Sequence, residues 1–389
     1  MPCVITAADR ASFRRCRRQW DFGAGIRQNL EPREPPAAPD LDRALRDALA
    51  VYYYPGMWDW DRAVRLPLVV QGLERALARQ RERGRDDPDA GCWDEALDAG
   101  RDLLARFFAW APGVDRFAPV MAEAEYEVTV LDPARPAAGL VTPGGQAVRY
   151  RGRIDLMAVD ARDAYWIVRH RLVDGDWPPT EELVADEETA AAGWAWEQFY
   201  IGMAVTGIIW NEMRRPSLPD GPPADDRPRP AARRWRRLRR RPAAAHPEVR
   251  QHEPSGGGRS IPQHRRLYAQ ASQAGRAEPV EQQVTGGFRR TWVRRSAAQV
   301  AQAGHRLGAD AAEMTRADPS VDPTPSDRNC PACPYLGPCQ AMFAGDDPAP
   351  VTASAYRQRP PEPVAEGRIG VSGMGRGAAP FRFRGPPRR

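Results

Sequence analysis

Lysine is absent: all 57 basic residues of this 389-residue chain are arginine. A guanidinium stays protonated far above neutrality and pairs bidentately with phosphate. A basic side chain of that kind cannot serve as a general base. A GC-rich genome that writes Arg codons in place of Lys codons accounts for the bias, but its chemical consequences remain. Also missing is any run near the roughly 18 apolar residues that a membrane span requires. The opening stretch MPCVITAADRASFRRCRRQW contains no apolar segment of the secretory type. These absences predict a cytoplasmic protein with no membrane partner. Cysteines number only six, and in a reducing compartment a cluster of them reads as metal-binding rather than disulfide-bonded.

What is present begins with charge. The formal net charge is +6, a balance that suits an anionic partner such as nucleic acid. Pro (40) and Gly (33) are abundant enough to imply that part of the chain is not packed. Residues 10–29 read as a helix carrying Phe13, Cys16, Trp20 and Phe22. After the spacer EPREPPAAPD come the helical stretches LDRALRDALAVYYY, a charged segment to about Arg83, and CWDEALDAGRDLLARFFAW. The period then changes to two. In AEAEYEVTVL, Tyr126, Val128 and Val130 alternate with acidic positions, and AVRYRGRIDLMAVD and YWIVRHRLV read as further strands. EETAAAGWAWEQFYIGM is a predicted helix and VTGIIWNEMRR a predicted strand.

From Pro216 to about Arg250 the composition is Pro/Arg/Ala-rich and predicts disorder. The strand FRRTWV follows, then a helix capped by Ser296 with the stripe Val300, Ala303, Leu307, Ala311 and Met314. The predicted organisation is N-terminal helices and an α/β core over 1–213 and a disordered insertion over 214–250. A C-terminal part of the same domain then spans 251–345, and a disordered tail 346–389. The fold class expected is α/β, a mixed β-sheet core flanked by helices.

The stretch NCPACPYLGPC at 329–339 holds Cys330, Cys333 and Cys339 as C-x2-C-x5-C. Three thiolates leave a tetrahedral site one ligand short, with Cys3, Cys16, Cys92 and His305 as candidates for the fourth. Cys16 stands out, because Arg14, Arg15, Arg17 and Arg18 surround it and positive neighbours favour the thiolate. All-cysteine ligation suits zinc or an iron–sulfur cluster.

In order, spacing and position, Cys16, Cys330, Cys333 and Cys339 resemble the iron–sulfur branch of the PD-(D/E)XK nuclease superfamily, the RecB-like and AddB-like nucleases. The family's G-x-x-D strand is matched by Gly152-Arg153-Ile154-Asp155. Its apolar-apolar-(D/E)-x-K strand is matched by Ile167-Val168-Arg169-His170-Arg171, and its Q-x-x-x-Y helix by Trp196 to Tyr200. The resemblance covers about 8–213 and 285–342. It implies a restriction-endonuclease-like fold and a 4Fe-4S cluster that joins the N- and C-terminal segments. It also implies action on single-stranded DNA or duplex ends beside a helicase or repair partner. The metal site it implies would use Asp155 and Glu123, or Glu125, for Mg²⁺ or Mn²⁺, with Arg171 in the lysine position.

The departures carry equal weight. Such hydrolysis uses a divalent ion on at least two carboxylates. Here Arg169 puts a cation where the second carboxylate belongs, and Arg171 cannot act as a base. The alternatives are therefore a non-enzymatic DNA-binding or scaffold protein that keeps the fold, and a zinc-stabilised interaction protein. An ion pair between Asp155 and Arg169 or Arg171 is the expected mark of lost chemistry. Two acidic oxygens poised to share an ion would mark an enzyme. Nucleic-acid contacts are expected from Tyr200 and from the run RRWRRLRRR, through Arg233, Arg234, Trp235, Arg236 and Arg237.

Overall fold

The computed structural model describes residues 2–33, 38–83, 90–200, 202–215, 280–327 and 329–360. The arginine run at 233–241 and the segment 250–279 lie outside the described residues. The described residues belong to one compact unit, so β10 and the helix after it share a domain with the N-terminal core. The helices are α1 (Ala7–Arg15), α2 (Arg17–Gly23), α3 (Leu41–Tyr52), α4 (Arg62–Arg83), α5 (Ala90–Val114), α6 (Thr180–Val184), α7 (Glu187–Phe199), α8 (Ala297–Met314), α9 (Leu336–Ala344) and α10 (Ala349–Ala355). The strands are β1 (Cys3–Thr6), β2 (Leu30–Pro32), β3 (Phe117–Thr129), β4 (Leu131–Asp132), β5 (Arg135–Gly139), β6 (Val148–Asp160), β7 (Tyr165–Val173), β8 (Val205–Arg214), β9 (Glu281–Thr285), β10 (Phe288–Arg294) and β11 (Tyr356–Gln358).

Seven strands form one mixed sheet in the order β1-β6-β7-β8-β10-β9, with β3 also paired to β6. β1 runs parallel to β6 and β7 parallel to β8, while the other pairs are antiparallel. Strand alternation sends side chains to two faces. Ile167, Ile208 and Trp210 join α7 and α8 in one apolar cluster, around Trp194, Val300 and Leu307. Trp166, Val168 and Ile209 join α3, α4 and α5 in the other, around Leu45, Leu73 and Phe107. The α/β class and the mixed, helix-flanked sheet are therefore as the sequence predicts. The stripe on α8 is buried throughout, and Ser296 closes a capping box with Gln299.

Two expectations need correction. The helix predicted over 10–29 is two helices broken at Cys16, whose backbone is extended (φ −162°, ψ 115°). Thr6 and Asp9 form a capping box that starts α1 at Ala7, and the break turns Cys16 out of the helical register. In the tail predicted as disordered from 346 onward, Ala349–Ala355 and Tyr356–Gln358 form α10 and β11, and residues 361–389, like the insertion from 216, lie outside the described residues. β11 pairs antiparallel with β2, so Tyr356 faces Pro32 and Gln358 faces Leu30. A three-residue strand joining positions some 330 apart leaves no periodic signal in a sequence. β1 went unread for the same reason of length.

Candidate functional site

The cysteine pole is built from both ends of the chain. Cys16, Cys330, Cys333 and Cys339 all line one cavity, together with Phe22, Pro323, Pro325, Tyr335 and Phe343. Tyr335 anchors this arrangement. Its ring stacks between Phe22 and Tyr356, at centroid distances of 5.6 Å and 5.6 Å, and its hydroxyl donates to the Leu30 carbonyl at 2.6 Å. Gly23 permits this approach, because a Cβ there would lie 2.6 Å from the Tyr335 hydroxyl. The Tyr356 hydroxyl in turn donates to the Pro334 carbonyl at 2.7 Å, so the β2–β11 pair braces the cysteine loop.

Each sulfur has an N–H directed at it. The Thr324 backbone N–H reaches Cys16 Sγ at 3.5 Å and the Ser326 N–H reaches Cys330 Sγ at 3.4 Å. Arg18 reaches Cys339 Sγ at 3.9 Å. Burial pushes the Cys333 thiol up, and the Tyr335 backbone N–H opposes it. Burial likewise pushes Cys339 up, opposed by Arg18. Each sulfur thus has a donor, while at Cys333 and Cys339 burial outweighs it and favours the neutral thiol. Two further facts pull apart. The cavity that the four sulfurs line with ten other residues has a volume of about 30 Å³. Yet among the described residues no three His, Cys, Asp or Glu form a group that could hold a metal ion. Cys16, Cys330, Cys333 and Cys339 are the side chains that would hold a thiolate-ligated group in this cavity. Cys3, Cys92 and His305 are not among the residues lining this cavity.

The acidic pole lies on β3, β6 and β7. Asp155 is 7 % exposed. Its Oδ1 lies 3.8 Å from Arg169 Nη1 and its Oδ2 accepts the His170 backbone N–H at 3.3 Å. Arg169 also reaches Glu188 at 3.4 Å. The β3–β6 register brings Ala122 opposite Leu156 and Ala124 opposite Ile154, which sets Glu123 beside Asp155 across the strands. Glu123 has φ +52°, so the alternation that would put it on one face with Glu125 is interrupted. It pairs with Arg153 at 3.0 Å. Burial pushes its carboxyl up, Arg153 opposes this, and Asp47 and Asp155 add to the rise. Glu125 is exposed, opposite Arg153 in register. Gly152 makes room for Tyr126, since a Cβ at 152 would lie 2.2 Å from the Tyr126 hydroxyl.

Arg171 pairs not with a site acid but with Glu212 of β8 at 2.7 Å. Glu212 is fully buried and also takes the guanidinium of Arg289. On the opposite face His170 is buried and stacked on Tyr53 at 5.5 Å. Its Nδ1 is 3.1 Å from the Asn211 side chain, and burial lowers its pKa to about 4. Tyr200 is half-buried and covered by Trp196 at 4.0 Å. The partners Glu188, Glu212 and Arg289 were not assigned to the site from sequence. The signal for Glu212 was an acid inside VTGIIWNEMRR, a predicted strand rich in β-branched residues.

Neither a protein-family model nor a curated protein sequence matches this chain. Among the described residues, no helix is long and apolar enough to cross a membrane.

Proposed function

We propose that this chain is a nucleic-acid-binding protein on a RecB-like, restriction-endonuclease-like fold. In this reading a 4Fe-4S cluster on Cys16, Cys330, Cys333 and Cys339 ties the chain ends together, and phosphodiester hydrolysis has been lost. The observation that carries the reading is the meeting of Cys16 with the C-terminal trio in one cavity. Nothing in local sequence makes position 16 approach position 330, and the arrangement is the one the resemblance implies. The cluster, when bound, supplies a cross-link whose binding free energy becomes folding free energy. The chain's own residues shield it with aromatic rings and orient its sulfurs with N–H groups.

Support for lost hydrolysis comes from the acidic pole. A Mg²⁺ or Mn²⁺ ion needs carboxylate oxygens free of other cations. Asp155 is met by Arg169 and Glu123 by Arg153, so a divalent ion there would face two guanidinium charges at close range. Arginine also keeps its proton, which removes the base the resemblance would place at 171. Support for DNA as partner is the positive balance of the chain and its arginine-rich composition.

The test uses full-length protein purified without oxygen. Single-stranded DNA and duplex ends should bind with an affinity that falls steeply between about 50 and 200 mM salt. Neither substrate should be degraded with Mg²⁺ or Mn²⁺, and Asp155→Ala should behave as wild type. Metal-dependent degradation that Asp155→Ala abolishes restores the exonuclease reading. Zinc without iron, and no DNA affinity, leaves the zinc-stabilised interaction protein.

A further inference from the structure

The short ribbon of β2 and β11 has an outer face as well as the inner one that braces the cysteine loop. Its ladder runs on past the two strands. The Arg33 N–H donates to the Ala355 carbonyl at 2.9 Å and the Arg359 N–H to the Asn29 carbonyl at 2.8 Å. Alternation then sorts the side chains. Leu30 and Tyr356 face inward, where they pack with Phe22 and Tyr335. Asn29, Glu31, Arg33, Ala355, Arg357 and Arg359 share the other face. All three of these arginines are exposed, with 54 % of the Arg357 side chain and 43 % of the Arg359 side chain open to solvent.

Three cations meet one carboxylate on this face. Arg357 Nε lies 2.8 Å from Glu31 Oε1, and Arg359 Nε lies 3.7 Å from Oε2. Arg33 donates instead to the Ala353 carbonyl at 3.2 Å. Three positive charges against one negative leave two over. Other acids nearby do not cancel them. Asp21 is taken by Arg27. Asp9 feels Arg359, but it is buried in the cap of α1, where burial pushes its carboxyl up. The sequence that continues from the ribbon, residues 361–389, carries six arginines against two glutamates. It is like-charged, so it is not the counter-ion that this face lacks. No large apolar side chain stands among the six, so the face suits neither an apolar partner nor insertion into a bilayer. Guanidinium groups pair bidentately with phosphate. Arg357 and Arg359 stand two residues apart on one strand, about 7 Å, a spacing comparable to that of successive phosphates on an extended strand.

We propose that the outer face of the β2–β11 ribbon is a docking surface for the phosphodiester backbone of a single nucleic-acid strand, with Arg33, Arg357 and Arg359 as the phosphate donors. It rests on the nucleic-acid reading above and adds to it the place where the strand lies. The experiment is binding of a labelled single-stranded DNA oligonucleotide to the full chain, purified without oxygen, over a series of salt concentrations. Vesicles of anionic phospholipid form a second arm.

Each phosphate contact on a single strand contributes about 0.7 to the salt slope, which is about 5-fold in affinity at 0.1 M salt. Arg33→Gln, Arg357→Gln and Arg359→Gln combined should therefore weaken binding by roughly 100-fold and lower the slope by about 2. Arg357→Gln alone, at about 5-fold, carries the test where the triple variant does not fold. Glu31→Gln removes the competing carboxylate and should tighten binding. Arg162→Gln removes the same charge from an exposed position on the β6–β7 turn and should change little. Ribbon variants that weaken binding no more than Arg162→Gln, or a Glu31→Gln that binds no more tightly than wild type, overturn the surface while wild-type affinity keeps the nucleic-acid reading. Vesicle binding that the ribbon variants lose while their DNA affinity holds overturns it in favour of a lipid surface. No DNA affinity in wild type overturns both.

Discussion

At the acidic pole Asp155 meets Arg169, Glu123 meets Arg153, and Glu212 meets Arg171 and Arg289. At the cysteine pole, among the described residues, four thiols meet one guanidinium, Arg18, and three backbone N–H groups. Both regions concentrate potential anions drawn from distant parts of the chain. They differ in where the balancing cation comes from. The carboxylates have theirs supplied covalently, on neighbouring strands. The thiols have only Arg18 among the described residues, and burial already disfavours their charged form at Cys333 and Cys339. An ionised thiolate array in that cavity needs a cation from outside, whereas the acid site has no vacancy for one. A fold can keep a binding geometry at one end while its own side chains occupy the other.

The largest effect that bears on this contrast is expected at the sulfurs. On the proposed reading, Cys16→Ser should remove the proposed cluster and with it several kcal/mol of stability, a fall in Tm of roughly 10 °C or more for a domain of this size. Calorimetry and visible absorption together check it. A small shift would mean that aromatic stacking by Tyr335, not the cysteines, holds the ends.

Next is Glu212. Its removal strands the buried Arg289 and the half-buried Arg171, so Glu212→Ala should cost about 3–5 kcal/mol in denaturant unfolding. A loss below about 1 kcal/mol would mean that water reaches these guanidinium groups, and the acid pole would then be less self-contained than described.

The pH arm concerns His170. Its folded pKa, about 4, lies below the unfolded value of about 6.5. Protons therefore bind the unfolded chain first. The stability contribution is whole above about 6.5, falls as pH drops from there toward 4, and amounts to about 3 kcal/mol in total. His170→Gln should flatten that part of the stability–pH curve. An unchanged slope would assign the acid sensitivity to other groups.

The smallest effect sharpens the contrast most. Arg169→Glu should empty the acid site of its built-in cation and let Mn²⁺ raise Tm by a few degrees at concentrations well above Kd, while wild type shows no such shift. Stabilisation of wild type by Mn²⁺ would reverse the comparison.

How far the sequence reveals this depends on the range of the interaction. The seven-stranded core is readable where strands are long. YWIVRHRLV and VTGIIWNEMRR carry their own period, and the buried stripe on α8 follows from Val300 to Met314. Short elements such as β1 and β2 carry too few residues for a period, and β11 is identified only by its partner. At the sites, spacing identifies Cys330, Cys333 and Cys339 as a set. That Asp155 faces Arg169 follows from strand register. Arg171 turning to Glu212 instead depends on which strand lies beside β7, a fact of topology that no local window contains. The break at Cys16 hides in a stretch whose composition suits one continuous helix.

The account stands most directly on metal analysis of the anaerobically purified full chain beside its Cys16→Ser variant. It predicts about four iron atoms and four labile sulfides per chain, with visible absorption, in the parent and little of either in the variant. Zinc in place of iron, or iron content that Cys16→Ser leaves unchanged, would contradict it.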